Sequence, residues 1–320
     1  MAGYVHWRRL GLATAAAAAV LLILPHVVGD FALHVLTVSL YYTILAASWN
    51  LLAGFTGQFS LAQQAFAAIG AYTTGLLIYH YHTPMWLSMP AGVVLSGALG
   101  YLLGRLVLKM RAIYLAIATW AFAETFRILL TADYGYTRGE LGLIVPPLYR
   151  GIEPAPYYYT FAALTLASVL AMYLLVRSPI GYFMRAIKDD ELRAQSLGVD
   201  TTRIKVLVFT VSSAFAGLAG VFYAHYLLVL SPALADFNEM AKLIVMVVVG
   251  GLGSFAGPLV AAAPVEIVTT YLQKYGEWDM VIYAILVIVL MRSYMGGLVA
   301  LGKALWARFG ERGAEEGAGP

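Results

Sequence analysis

The sequence predicts an all-α polytopic membrane protein of about ten transmembrane or re-entrant helices and one short cytoplasmic helix. Three observations predict it. Of 320 residues, 61% are apolar or aromatic and only 12% are charged, with a mean hydropathy of +0.79. A soluble domain carries about 25% charged residues, so this chain lacks the ionic groups to coat a water-facing surface. Apolar runs long enough to cross about 30 Å of hydrocarbon recur along it. Basic residues gather between those runs, at Arg8 and Arg9, at Arg105, Lys109 and Arg111, across 177–205, and at Lys303, Arg308 and Arg312. That is the pattern of cytoplasmic loops, not of a nucleic-acid patch. Disorder is excluded by the hydrophobicity. The absence of cysteine excludes disulfides, thiolate metal sites and a cysteine nucleophile.

The elements follow in order. The run 10–28 behind Arg8 and Arg9 has the charge and alanine content of a signal peptide; the many later spans favour a first membrane helix. A second span covers 31–53. Gly54-Phe-Thr-Gly57-Gln58-Phe-Ser60 is too glycine-rich and polar for mid-helix, and a third stretch, 61–79, ends at His80-Tyr-His82-Thr-Pro84. Spans four and five lie at 85–108 and 113–130. Segment 131–156, with Pro146, Pro147, Pro154 and Pro156, reads as an ordered loop on one face. Spans six and seven, 157–176 and 206–230, flank the charged segment 177–205. The run 243–272 would make one helix of about 45 Å, longer than a membrane needs. Its glycines at 250, 251, 253 and 257, with Pro258, predict a break into two short or re-entrant pieces. A last span, 280–298, completes a transmembrane domain of 1–302, and the polar tail 303–320 is expected to be disordered. Ten spans place every basic cluster and both termini inside; nine do not.

Motifs that suggest catalysis fail on context. Gly297 to Lys303 fits most of a phosphate-binding loop, but Ala304 stands where Ser or Thr must hold Mg²⁺, and no strand precedes it. Gly251-Leu-Gly253-Ser-Phe-Ala256 matches a dinucleotide fingerprint, yet membrane-length runs flank it instead of a βαβ unit. His80 and His82, two apart, would point away from each other on a helix. Ionisable groups inside spans say more, because each costs about 2.5–3.5 kcal/mol to insert. Glu124 and Arg127, three apart, can meet on one helix face, as a structural ion pair or as part of a path. Glu266 has no charged neighbour in sequence and must face a polar interior or the interface. Asn50, Gln58, Ser60, Gln63 and Gln64 surround a glycine break. Such breaks occur where backbone lines a cavity or is buried in protein, so this set lines a pathway or joins helices by hydrogen bonds.

In the charged segment, Pro179 can open a helix and Gly198 can close it. Phe183, Ala186, Ile187, Ala194 and Leu197 then form an apolar stripe on a helix of at most about 16 residues. It is too short to span, and it docks on the chain's own cytoplasmic face or on a partner.

These residues together resemble a known family, the LivM-type inner-membrane permease subunits of branched-chain amino acid ABC transporters. The resemblance runs from about residue 45 to 297. Asn50-Leu-Leu-Ala-Gly54-Phe-Thr-Gly57-Gln58-Phe-Ser60 and Ile69-Gly-Ala-Tyr72 resemble its early signature, and Ile113 to Glu124 its fifth-helix motif. Ser178-Pro-Ile-Gly181 through Asp189-Asp190-Glu191 to Gly198 resembles the coupling segment; Ser231-Pro232 and Gly250 to Pro258 complete the set. Thr137-Arg138-Gly139-Glu140 departs from the family's glycine-rich external loop, which bears on substrate and binding-protein preference.

The resemblance implies a subunit without catalytic or metal residues and without a cofactor of its own, ATP and Mg²⁺ belonging to two ABC ATPase subunits. It implies a second related permease, an extracytoplasmic solute-binding protein and a prokaryotic inner membrane. The short cytoplasmic coupling helix would contact the ATPases through Phe183, Arg185, Ile187, Lys188, Asp189, Asp190, Glu191 and Gly198, with Phe183 and Ile187 filling a groove. The candidate translocation residues are Asn50, Gly57, Gln58, Ser60, Gln63, Glu124, Gly251 and Gly253. Related permeases carry urea, amides or other small polar solutes. The other class of reading is an ion-coupled secondary transporter with Glu124 or Glu266 carrying protons.

Overall fold

The computed structural model describes residues 21–272, except 109, 111, 150 and 152, together with 285 and 298. Most of the expected first span, nearly all of the last and the whole polar tail lie outside the described residues. The helices are α1 (Asp30–Asn50), prolonged by a π turn at Leu51–Thr56, α2 (Gln63–Tyr81), α3 (Met85–Val107), α4 (Ala112–Ala132) and α5 (Ala155–Arg177). They continue as α6 (Pro179–Asp189), α7 (Glu191–Ser196), α8 (Thr201–Leu227), α9 (Phe237–Gly250) and α10 (Gly257–Leu272).

Five helices among the described residues are long and apolar enough to cross a membrane, namely Asp30–Thr56, Met85–Val107, Ile113–Ala132, Ala155–Arg177 and Thr201–Leu227. All five coincide with spans expected from sequence. The third expected stretch forms α2, but Gln63 and Gln64 in its first turn and Thr73, Thr74 and His80 further on lower its hydropathy. It lies at the centre of the packing, where most of its length is buried. A helix walled off from lipid needs no apolar coat.

Caps set the boundaries. The Asp200 carboxylate accepts from the Arg203 N–H, starting α8 at Thr201 rather than 206. The Asp236 carboxylate accepts from the Asn238 N–H, starting α9 at Phe237 rather than 243. The break expected near Gly250 to Pro258 is present, and α9 and α10 form a hairpin around it.

Small residues bring the central helices into backbone contact. A Cβ on Gly220 of α8 would fall 1.9 Å from the Ala67 carbonyl oxygen of α2, and one on Gly70 only 2.4 Å from that of Gly217. The Ser96 hydroxyl of α3 donates to the Phe66 carbonyl at 3.1 Å. Close approach through small residues and hydroxyl bonds between helices is what holds helices together where lipid is as apolar as a side chain. Around this centre α1 is the most enclosed of the five span-length helices and α4 the least.

Opposite the basic segment, the described residues of the loop 131–156 are tied down by hydrogen bonds, as an ordered loop requires. The Thr137 hydroxyl donates to the Leu130 carbonyl, His225 Nδ1 lies 2.8 Å from the Pro146 carbonyl oxygen, and Leu143–Ile144 pairs antiparallel with Val229–Leu230. This ladder, β1 and β2, is the one departure from all-α among the described residues.

Candidate functional site

Two interruptions of the membrane helices meet. The first is the π turn after α1, which ends in Gly57 at φ 72°. The second is the turn between α9 and α10, where Gly251 and Gly253 take φ 117° and 81°. Asn50, almost fully buried, joins them. Its Nδ2 donates to the Ser254 carbonyl and its Oδ1 accepts from the Gly253 N–H, both at 2.9 Å. Only glycine fits at 54, because a Cβ there would sit 1.9 Å from Asn50 Oδ1 and 2.7 Å from the Gly253 nitrogen. The freed carbonyls find partners too. Leu52 accepts from the Thr56 hydroxyl and the Gln58 N–H, and Gly54 accepts from Lys188 Nζ at 2.7 Å. Buried broken backbone demands this satisfaction. The Lys188 ammonium also sits at the carboxyl end of α1, where the helix dipole favours a cation. A Cβ at Gly253 would fall 2.9 Å from Lys188 Nζ, so glycine keeps that approach open.

The other polar residues of the break sort into two kinds. Gln63 Nε2 donates to the Ser48 hydroxyl at 2.6 Å and reaches Ser212, whose hydroxyl donates to the Ser48 carbonyl, joining α1, α2 and α8. The Ser60 carbonyl accepts from Trp49 Nε1 and the Ser60 hydroxyl oxygen from the Ala62 N–H. Gln58 differs. It is buried, yet neither its Nε2 nor its Oε1 has a hydrogen-bond partner, and a buried orphan amide costs about 1–3 kcal/mol until something binds it. Glu124 is outside this network and forks onto Arg127 within α4, Nη2 to Oε1 at 2.5 Å.

The charged segment 177–205 departs from the single helix expected. It breaks at Asp190 (φ −160°, ψ 106°), whose carboxylate caps α7 by accepting from the Arg193 N–H. A short acidic side chain competes well for free N–H groups at a helix start, so two helices replace one. The break rotates the stripe. Gly181, Met184, Ile187 and Ala194 face inward, while Phe183, Ala186 and Leu197 face out. Ile187 is therefore packed within the chain and not offered to a groove. Glu191 is held by Lys205 and the Thr201 hydroxyl. Arg185 and Asp189 are exposed, Arg185 near the Phe55 ring, and Gly198 ends the segment at φ 86°. Tyr182, Leu192 and Leu197 are exposed apolar side chains in this segment, Leu197 at 85%. A cavity of about 350 Å³, lined by Phe55, Tyr173, Arg177, Arg185, Gly253 and Phe255 among others, opens between the segment and the two interruptions.

One residue escapes a reading by sequence. Starting the apolar run at Leu243 leaves Lys242 outside it, whereas α9 places Lys242 within the helix, 3.1 Å from Glu266. A lysine bordering an apolar run that holds an unpartnered glutamate is the signal that could have found it.

The family described as "Branched-chain amino acid transport system / permease component" matches residues 31–291. The chain belongs to that family. Among its relatives in this permease family is the high-affinity branched-chain amino acid transport system permease protein LivM of Salmonella typhimurium, 32% identical over 87% of this chain and 72% of that protein. LivH of Escherichia coli is 24% identical over 78% of this chain and 88% of its own. The fructose import permease protein FrcC of Rhizobium meliloti is 24% identical over 73% of this chain and 69% of its own. No solved structure matches. The matched range takes in both interruptions and the whole charged segment 177–205.

Proposed function

We propose that this permease is the membrane-spanning subunit of an ABC importer that translocates branched-chain or related amino acids across a prokaryotic inner membrane, in contact with its lipid. The observation that carries the coupling mechanism is the Lys188–Gly54–Gly253–Asn50 junction. Through it one cytoplasmic helix holds both interruptions. ATP and Mg²⁺ act in two separate ATPase subunits. These dock on the exposed face of α6 and α7, through Tyr182, Phe183, Leu192 and Leu197, with Arg185 and Asp189 as polar contacts. Asp190, Glu191 and Gly198 shape that face, and Ile187 anchors it to the core. When the ATPases close they displace α6, and Lys188 transmits the displacement to the π turn and the hairpin turn.

The path runs beside those two turns. Gln58 offers the open amide. Asn50, Ser60 and Gln63 fix the surrounding backbone, Gly57, Gly251 and Gly253 allow it to bend, and Glu124 flanks it from α4. LivM and LivH are both permease proteins of a branched-chain amino acid transport system, which supports pairing of this chain with a second related permease. A solute-binding protein delivers substrate to the outer loops. Ten spans, with both termini cytoplasmic, complete the topology.

The test is purification of the tagged permease with whatever co-elutes, followed by ATP-driven uptake in proteoliposomes. Leu192→Asp/Leu197→Asp should lose the ATPases. Lys188→Met should keep them, with their ATP hydrolysis, and lose at least about tenfold of the uptake, the loss of one charge-assisted hydrogen bond. Uptake without any co-eluting ATPase would overturn the reading.

A further inference from the structure

A second cluster of charge lies on the α9–α10 hairpin, away from the junction. Glu239 and Lys242 stand on α9 and Glu266 on α10. At about 1.5 Å per residue, Lys242 and Glu266 sit roughly 12–14 Å along their helices from the hairpin turn. Lys242 Nζ is 3.1 Å from Glu266 Oε2 and 3.5 Å from Glu239 Oε2, and lies over the Tyr42 ring, 4.0 Å from its centroid. The Tyr42 hydroxyl donates to the Glu239 carboxylate. Gln64, whose Oε1 accepts from the Tyr41 hydroxyl, donates through Nε2 to the Glu239 carbonyl. Tyr41 stacks on Tyr223 with centroids 3.9 Å apart. Three helices, α1, α2 and α8, and the hairpin's two arms thus contribute to one box of rings and charges.

Its charges do not cancel. Two carboxylates share one ammonium, and among the described residues no second cation pairs with them. Intramembrane ionisable groups are expensive, and they persist where they serve a path. Access is graded as well. The Glu239 side chain is 38% exposed, Lys242 15% and Glu266 7%, so the cluster opens at Glu239 in the first turn of α9 and closes at Glu266.

We propose that this cluster binds a zwitterionic amino acid in transit, the ammonium taken by Glu239 and Glu266, the carboxylate by Lys242, and the body covered by Tyr41, Tyr42 and Tyr223. The proposal rests on the chain's reading as an amino-acid permease. A ligand with only a cation would be repelled by Lys242, and one with only an anion by two carboxylates. A ligand bearing both signs on adjacent atoms meets a partner for each. Aromatic faces beside an ammonium add cation–π attraction, and apolar rings suit an aliphatic side chain.

The experiment uses the assembled transport complex without a solute-binding protein. Radiolabelled leucine binding is measured against 4-methylpentanoate, which lacks the ammonium, and isopentylamine, which lacks the carboxylate. The wild type should prefer leucine to either by about tenfold or more, the worth of a charge-assisted pair. Glu266→Gln should bring leucine and 4-methylpentanoate level, and Lys242→Met should bring leucine and isopentylamine level. Where those variants fail to assemble, Glu239→Gln, at the half-open carboxylate, should lower the preference over 4-methylpentanoate. Unchanged preference in the assembled variants, or no saturable leucine binding by a complex that still imports leucine with ATP, overturns the site. A complex that neither carries ATPases nor imports leucine overturns the underlying reading with it.

Discussion

Two ion pairs sit in the apolar helices, and they are built in opposite ways. Glu124 and Arg127 lie on one helix, three residues apart, with side chains about equally half-open on the least enclosed span. Lys242 and Glu266 come from the two arms of a hairpin and are far more buried. The first pair forms whenever α4 is helical, because i and i+3 side chains share a face. The second forms only when α9 and α10 have folded back against each other, so it depends on tertiary structure. Removing a partner from the first leaves a charge that the chain only partly covers. Removing one from the second strands a charge in the protein interior.

The sharpest way to break this contrast is Lys242→Met. A buried partner left alone costs about 3–5 kcal/mol, so the thermal unfolding midpoint of the purified permease should fall steeply. Adding Glu266→Gln should recover most of the loss, and a single variant as stable as the double would show that Glu266 is not stranded. Next in size is the sign swap. Lys242→Glu/Glu266→Lys restores a pair but sets a new carboxylate against Glu239 and the Tyr42 ring, and should stay about 1–3 kcal/mol below wild type, the scale of disrupting a charged hydrogen bond. The same swap in α4, Glu124→Arg/Arg127→Glu, should be within about 0.5 kcal/mol, since helix pairs of this spacing are worth that little. Arg127→Met alone, which leaves Glu124 without its partner, should lie between the two swaps, at about 1 kcal/mol or less by the same melting assay.

The contrast also explains what a reader of the sequence can and cannot see. Five spans, the break near Gly250 to Pro258 and the glycine interruption after Asn50 follow from run length and local backbone preference. Glu124 with Arg127 is legible for the same reason. Lys188 is not, because its partner is the Gly54 carbonyl, far away in sequence and anonymous in type. The break at Asp190 was hidden by a competition. The stripe argued for one helix, and the capping strength of one aspartate outweighed it. Lys242 escapes because an apolar run read from Leu243 leaves it outside. Within the polar set around the break, the letters alone do not separate Gln63, fully bonded, from Gln58, bonded to nothing through its side chain. That distinction exists only once α8 brings Ser212 to one of them and not the other.

The short ladder of Leu143–Ile144 with Val229–Leu230 has a consequence for kinetics. It staples the loop that follows α4 to the end of α8, and the His225 ring adds a second fastening at Pro146. Any soluble protein alighting on that surface meets a relief already set, and little chain entropy is lost in ordering it. Association with such a surface should proceed in one step without a slow rearrangement, and the ordering penalty that weakens many loop-mediated contacts should be small.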